Sequence, residues 1–323
     1  MTIDITNYRS FIDKCFYPKK YTLKEIEAGL SDDVKFKADA DGESYIVKIV
    51  EGKRKATFNA NRTVWYEALC SAREEDMRIV GPERFDYIDN RVVTATKWID
   101  GVSLEEYLYG HPDEKIKYGK QAGRLLFNIH NLAFVKSGIE KSNEKFAPRI
   151  TEKVDALLDS AERLKMHFPG IEKAVEFLRN NKDVISEDRV GILHNDIRLE
   201  NILIKDGRLF IIDFDSGYFG DCYGDFTYLT ALADKDFRAF AYAVIMSYFN
   251  GEPPQCFWKA NLYFCMIKLI EYAVYKFNKS GKMVVNQANS CIKIFNGFND
   301  VIPDWWNETD RQYAEEFTAT DAD

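Results

Sequence analysis

The sequence has no internal repeat and no low-complexity block, so neither a solenoid nor a biased linker is expected. It has no run of roughly 20 apolar residues, the length a membrane-spanning helix requires. Its N-terminus, MTIDITNYRS, has no basic segment followed by an apolar core, so no signal peptide is expected. Six cysteines (Cys15, Cys70, Cys222, Cys256, Cys265 and Cys291) are scattered with no C-x-x-C pair. That spacing argues against a zinc site or a redox motif, and several of these thiols fall in apolar segments as buried side chains do. Positive charge is in deficit: the formal net charge is −8, which disfavours non-specific nucleic-acid binding and fits a cationic small-molecule partner. A reduced, cytoplasmic protein, monomeric or homodimeric, is the expectation.

What is present is a chain of 323 residues, 46% hydrophobic and 14% aromatic, enough for one large domain or two lobes with a substantial core. Its most informative stretch is Val190 to Phe226, VGILHNDIRLENILIKDGRLFIIDFDSGYFGDCYGDF. The apolar runs Ile202-Leu203-Ile204 and Leu209 to Ile212 read as two strands joined by a turn at Asp206-Gly207. Such a hairpin brings Asp196, Asn201 and Asp213 to one edge. Two acids and an amide there suit a magnesium–phosphate site, because magnesium takes a few hard oxygens from protein and the rest from phosphate and water. Asp196 is then free to orient and deprotonate an attacking hydroxyl. The plainer alternative, an acidic hairpin facing water, leaves unexplained why every one of these positions is filled.

His194, Asp196, Asn201 and Asp213 together form His-x-Asp-x-x-x-x-Asn followed by a strand-borne Asp, which resembles the catalytic pattern of the protein-kinase-like fold. Asp215 stands where protein kinases have the Gly of Asp-Phe-Gly, and no Ala-Pro-Glu element follows. With Gly220-Asp221 and Asp225 further on, the form resembles the aminoglycoside phosphotransferase and choline kinase family, from the Gly29 loop to Trp306. The resemblance implies an α+β, bilobal fold: a small β-rich N-terminal lobe, 1–100, and a larger, mostly helical catalytic and substrate-binding lobe, 101–323. It implies ATP or GTP as co-substrate, Mg2+ as cofactor and a small-molecule hydroxyl as acceptor. An aminoglycoside is the first expectation. A metabolic alcohol such as choline, a sugar or a homoserine-like compound is the alternative. A non-catalytic nucleotide-binding scaffold is the alternative of another class.

By the same resemblance, Asp196 is the catalytic base, and Asn201 and Asp213 hold magnesium. Arg198 stabilises the transferring phosphoryl group or pairs with Asp196 or Asp215. His194 supports the loop, and Asp225 ties that loop to a helix N-terminus. Ser31, in Gly29-Leu30-Ser31-Asp32-Asp33, lies in the phosphate-covering loop, although that loop has a single Gly. Lys48 holds the α- and β-phosphates, with Glu67 as its ion-pair partner ahead of Glu74 and Glu75. Main-chain groups of Lys97 and Ile99 face the purine, and Trp98 either packs or stacks. Asp159, Asp221 and Glu271 are candidate contacts to a cationic acceptor, as are Asp155 and Glu162, although solvated helix faces are the commoner fate of such acids.

The remaining pattern gives a coarse order of elements. A short helix in 1–20 covers the N-terminal lobe. Strands fill 21–50, with a hairpin at Asp41-Gly42 that puts Tyr45, Val47 and Ile49 on one face and Lys48 on the other. A helix over 62–70 ends before Pro82, and 91–99 is a strand. Ser103 caps a helix with Glu106 three positions on. Tyr118, Ala122, Leu125, Leu126, Ile129 and His130 share helical spacing, and His130 reads as structural. Residues 145–183 are helical and broken at Pro169-Gly170. The segment ANLYFCMIKLIEYAVYKF is apolar nearly all round and so a buried helix.

Overall fold

The computed structural model describes residues 4–26, 33–50, 59–89, 91–132, 145–232, 235–281, 286–306, 313–315 and 317. Two compact units emerge. The first is 1–102 together with 203–214, and the second is 103–202 together with 215–323.

The first unit is built on alternation. Strands β1 (Tyr21–Ile26), β2 (Val34–Ala40), β3 (Glu43–Val50), β4 (Pro82–Ile88) and β5 (Arg91–Lys97) form one antiparallel sheet in the order β1-β2-β3-β5-β4. The β2–β3 turn is Asp41-Gly42, both at positive φ (49° and 84°), the left-handed pair that a two-residue hairpin demands. Tyr45, Val47 and Ile49 bury one face with Phe36, Ala38, Val93 and Ala95. Helix α1 (Arg9–Phe16) closes that face with Phe11, Ile12 and Phe16. Because side chains alternate, Lys48 is left on the opposite face, opposite Lys35 and Thr94 in the neighbouring strands. Helix α2 (Asn59–Glu75) precedes β4.

The hairpin of β8 (Ile202–Lys205) and β9 (Arg208–Ile211) falls largely in this first unit, not with the C-terminal lobe where the sequence places it. The cause is backbone pairing. Val80 N–H donates to Ile211 O, and Ile211 N–H donates to Arg78 O, each at 2.9 Å. Gly101 permits the close pass here, since a Cβ on it would lie 2.8 Å from Ile204 O.

The second unit is mostly helical. It holds the short strand β6 (Val102–Ser103) in part, then α3 (Leu104–Gly110), α4 (Lys115–His130), α5 (Phe146–Arg163) and α6 (Ile171–Asn180). The antiparallel pair β7 (Val190–Leu193) and β10 (Tyr218–Asp221) follows, then α7 (Arg238–Phe249), α8 (Gln255–Ser280) and α9 (Asn286–Ile294). Ser103 accepts from Glu106 N–H at 3.2 Å, the expected cap on α3. Helix α8 is buried over most of its first 19 positions. Its buried Asn261 accepts from Thr230 Oγ1 at 2.7 Å, and Trp305 Nε1 donates to Thr230 O at 2.9 Å, so the C-terminal segment is tied to the core. Among the described residues no helix is long and apolar enough to cross a membrane.

Helices α4 and α7 approach closely because α4 offers glycine at 119 and 123. A Cβ at 119 would sit 2.6 Å from Ala243 Cβ and 2.7 Å from Phe240 O. Gly119→Ala is therefore expected to lower stability by about 1–3 kcal/mol through overpacking. Alanine's better helix propensity, worth ~1 kcal/mol, offsets only part of this. Urea unfolding midpoints measure it, and an unchanged midpoint would show that the two helices can separate at no cost.

Candidate active site

In the first unit the site is centred on Lys48, carried by β3. The strand puts this lysine on the face away from the α1 core, and it is 8% exposed. A buried ammonium needs compensating charge. Lys48 Nζ lies 3.2 Å from Asp213 Oδ1 and 3.7 Å from Asp33 Oδ2. Asp213 follows β9 with φ 64°, a left-handed turn that ends the strand and leaves its carboxylate exposed. Lys48 and Asp213 were singled out separately in the sequence, and the fold brings them together. Asp33 is the partner that sequence reasoning missed, since an acid beside a turn carries no signal of what it faces.

The pairing of Lys48 with Glu67 does not form. Glu67 is exposed on α2, flanked on both sides by buried residues (Trp65 and Tyr66, Ala68 and Leu69), so its side chain points away from the packed face. Glu74 is exposed as well. Ser31 and the Gly29 loop lie outside the described residues.

At the end of β5, Lys97 Nζ pairs with Glu43 at 3.1 Å and Trp98 N–H donates to Ser44 O at 2.9 Å. The Trp98 ring is engaged by Lys37 Nζ, 5.0 Å from its centroid, which gives it a packing partner within its own sheet. Lys97 and Ile99 line a cavity of about 510 Å³ together with Arg73, Val80, Lys205 and Phe210.

In the second unit the site is the loop between β7 and β8. His194 is fully buried, and its Nδ1 accepts from Asp196 N–H at 3.2 Å, so it supports the loop as expected. Asp196 is held by two side chains. Asn201 Nδ2 donates to its Oδ2 at 3.1 Å and to its main-chain O at 2.9 Å, while Arg198 Nη2 donates to Oδ2 at 3.2 Å with its Nε 3.0 Å from Oδ1. Of the three roles open to Arg198, the fold realises the pair with Asp196, with Glu200 a further 4.0 Å contact. Burial works against the Arg198 charge, but Asp196 and Glu200 outweigh it and raise its pKa. Tyr228, under the Arg198 guanidinium at 5.7 Å, is pushed up to about 12 by burial and then by Asp196.

These residues fit magnesium by their donor chemistry. With Nδ2 committed to Asp196, the atom Asn201 has left to offer is Oδ1, and Asp213 offers a carboxylate; both are hard oxygens. Among the described residues there is no cluster of three or more His, Cys, Asp or Glu with metal-binding geometry. Magnesium takes only a few oxygens from protein and the rest from phosphates and water, so the chemistry of each group suits it without such a cluster.

Asp225 departs from expectation. It accepts from His194 N–H at 2.8 Å and Asn195 N–H at 2.5 Å, and it meets His130 Nε2 at 3.1 Å. It thus ties the loop after β7 to the C-terminal end of α4, not to a helix N-terminus. His130 is structural, as its spacing suggested, and its Nδ1 reaches Tyr248 Oη at 2.9 Å.

The candidate acceptor contacts separate. Asp221 is corrected: it is fully buried, paired with Arg189 at 2.6 Å, and accepts from Ser186 N–H and Tyr223 N–H. Its position at the end of β10 points it into the unit, so it serves as a structural anchor. Glu271 is paired with Lys153 at 2.7 Å, Asp155 with Lys182 at 2.6 Å and Glu162 with Arg179 at 3.7 Å. Asp159 is exposed on α5. Lys268, not singled out in the sequence, donates to Asn195 O at 3.1 Å. The signal was available: it is the one lysine amid the apolar central turns of α8.

Asp225→Ala is expected to cost about 3 kcal/mol, because two buried N–H groups and a histidine lose their acceptor. Thermal and urea unfolding measure this. A loss below ~1 kcal/mol would show that water replaces the carboxylate.

A family model described as "phosphotransferase enzyme family" matches residues 22–256. No curated protein matches the chain. Among solved structures, the streptomycin–ATP ternary complex of APH(2″)-IIa is similar at TM-score 0.57 and 20% identity, covering 87% of this chain and 95% of that one. Spectinomycin phosphotransferase APH(9)-Ia, with ADP and spectinomycin, is similar at 0.55 and 15%, covering 90% and 94%. A choline/ethanolamine kinase family protein from Mesorhizobium loti is similar at 0.56 and 16%, covering 84% of each. These likenesses establish the fold, and the match over 22–256, which takes in Lys48, Asp196, Asn201 and Asp213, shows that the chain belongs to the phosphotransferase enzyme family.

Proposed function

We propose that this phosphotransferase moves the γ-phosphoryl group of ATP or GTP to a hydroxyl of a small molecule, as a cytoplasmic monomer or homodimer. The observation that supports the reading is the filled motif set, with Lys48 against Asp213 in the first unit and Asp196 against Asn201 and Arg198 in the second. Asp196 orients the acceptor hydroxyl and takes its proton as the oxygen bonds to the γ-phosphorus and the nucleoside diphosphate departs. Lys48 holds the α- and β-phosphates. Asn201 Oδ1 and Asp213 would hold magnesium, which would neutralise the phosphate charge. Arg198 holds the carboxylate of Asp196 alongside Asn201, both donating to its Oδ2, and adds positive charge beside the transferred group. Main-chain groups of Lys97 and Ile99 receive the base, with Ser31 covering the phosphates. Glu67 and Trp98 have the weakest case as nucleotide contacts, because neither faces Lys48 or an open base site in its described contacts.

An aminoglycoside is the first acceptor class to test, supported by family membership and by the antibiotics bound in similar folds. The metabolic-alcohol reading has an observation of its own. A polycation needs unpaired acids, whereas Glu271 and Asp155 already carry lysine partners and Asp221 is buried. Asp159 and Glu162 are the exposed acids of the set, and Glu162 pairs with Arg179; substitution of Asp159 to Asn separates the readings: a raised KM for an aminoglycoside supports contact with it, and an unchanged KM removes it.

The deciding experiment is magnesium-dependent ADP or GDP release across aminoglycosides, choline, sugars and homoserine-like compounds. Asp196→Ala is expected to reduce stimulated release by at least ~10³-fold while nucleotide binding is retained. Chelation of magnesium is expected to abolish release in the wild type. Stimulation that survives Asp196→Ala would remove this residue from the mechanism. Nucleotide binding without release for any acceptor would favour the scaffold.

A further inference from the structure

The peptide bond between Asn195 and Asp196 is gripped at both ends. Its N–H donates to His194 Nδ1 at 3.2 Å, and its carbonyl oxygen accepts from Lys268 Nζ at 3.1 Å. Asn195 itself has φ 64°, a left-handed conformation that asparagine tolerates better than most residues but does not adopt without support. That support is complete: Asp225 accepts from its N–H, Ser216 O accepts from its side-chain amide at 3.0 Å, and Lys268 donates to its carbonyl.

Three of the four anchors belong to the loop or to segments just after it. Lys268 comes instead from the middle of α8, where Met266, Ile267, Leu269 and Ile270 are all buried. Burial lowers its pKa and Lys153 adds to this, while Glu271, Asp225 and Asp196 act in the opposite sense. An ammonium in such surroundings is costly to keep, and a neutral side chain would pack there at less expense. What the charge does there is donate a charge-assisted hydrogen bond to the one carbonyl whose peptide leads into Asp196.

We propose that Lys268 is a positioning residue for phosphoryl transfer. By fixing the plane of the 195–196 peptide it sets where the Asp196 carboxylate points, while touching neither substrate itself. This rests on Asp196 being the base. Glu271, one turn further along α8, pairs with Lys153 of α5 at 2.7 Å, so the helix that aims the base also carries an ion pair near the same loop.

The test compares Lys268→Met and Lys268→Arg with wild type, first by hydrogen–deuterium exchange of the amides in 194–198, then by turnover. In Lys268→Met, exchange in 194–198 is expected to quicken roughly tenfold or more, while distant helices keep their protection. kcat is expected to fall on the order of 10²-fold with the KM for nucleotide unchanged, because a base moved by about 1 Å loses alignment but not binding. Lys268→Arg, which keeps a cationic donor, is expected to recover much of both. If Lys268→Met does not fold, Lys268→Gln, whose amide nitrogen stops one bond short, carries the same expectations. Unchanged exchange in a folded variant overturns the proposal, as does quickened exchange with an unaltered kcat. If the wild type transfers phosphate to no acceptor, the phosphotransfer reading fails, and the exchange result alone decides whether Lys268 holds the peptide.

Discussion

One buried carboxylate, Asp225, constrains the loop that carries Asp196. It is buried, accepts two successive backbone N–H groups from His194 and Asn195, and faces His130. A carboxylate there is stable only if its oxygens are saturated with donors, and the loop must bend into a left-handed step to supply them. The requirement runs outward: His130 is held by Tyr248 of α7, and α7 lies against the glycine face of α4. The packing of three helical segments is thereby converted into the fixed position of two peptide planes. Asp196 inherits its direction from those planes, and Asn201 and Arg198 then trim it.

The charge arrangement about that loop bears on which acceptor fits. Arg198, Lys268 and Lys153 stand among Asp196, Glu200 and Glu271, so the surroundings are mixed in sign. In the Lys153–Glu271 pair the lysine is exposed, yet its charge still offsets that of the carboxylate a cationic acceptor would meet. A net negative chain is therefore a poor guide to a locally acidic site: the excess of acids over bases is a property of the whole surface.

Much of this could be read in advance where local chemistry fixes geometry. Asp41-Gly42 has to turn, and β3 has to place Lys48 opposite Val47 and Ile49, because the period of a strand is two. The His194 to Asn201 spacing could be read because a loop of that length returns Asn201 to the Asp196 carboxylate. Asp221 could not, since an acid after an apolar strand looks alike whether it meets solvent or Arg189. Glu67 was drawn by analogy with a charge partner, but only the packing of Trp65, Tyr66, Ala68 and Leu69 decides which way α2 turns its acids.

The sequence by itself determined the alternation of the sheet, the buried character of α8, the turn residues and the set of chemical groups at 194–213. These depend on periodicity, on backbone preference and on residue identity, each local in the chain. Tertiary structure alone decided that Asp33 faces Lys48, that Arg198 closes on Asp196, that the β8–β9 hairpin joins the first unit through Val80 and Ile211, and that Lys268 holds Asn195. Each of these pairs charges or hydrogen-bonding groups whose separation is set by how helices and strands pack, and no local preference encodes that distance.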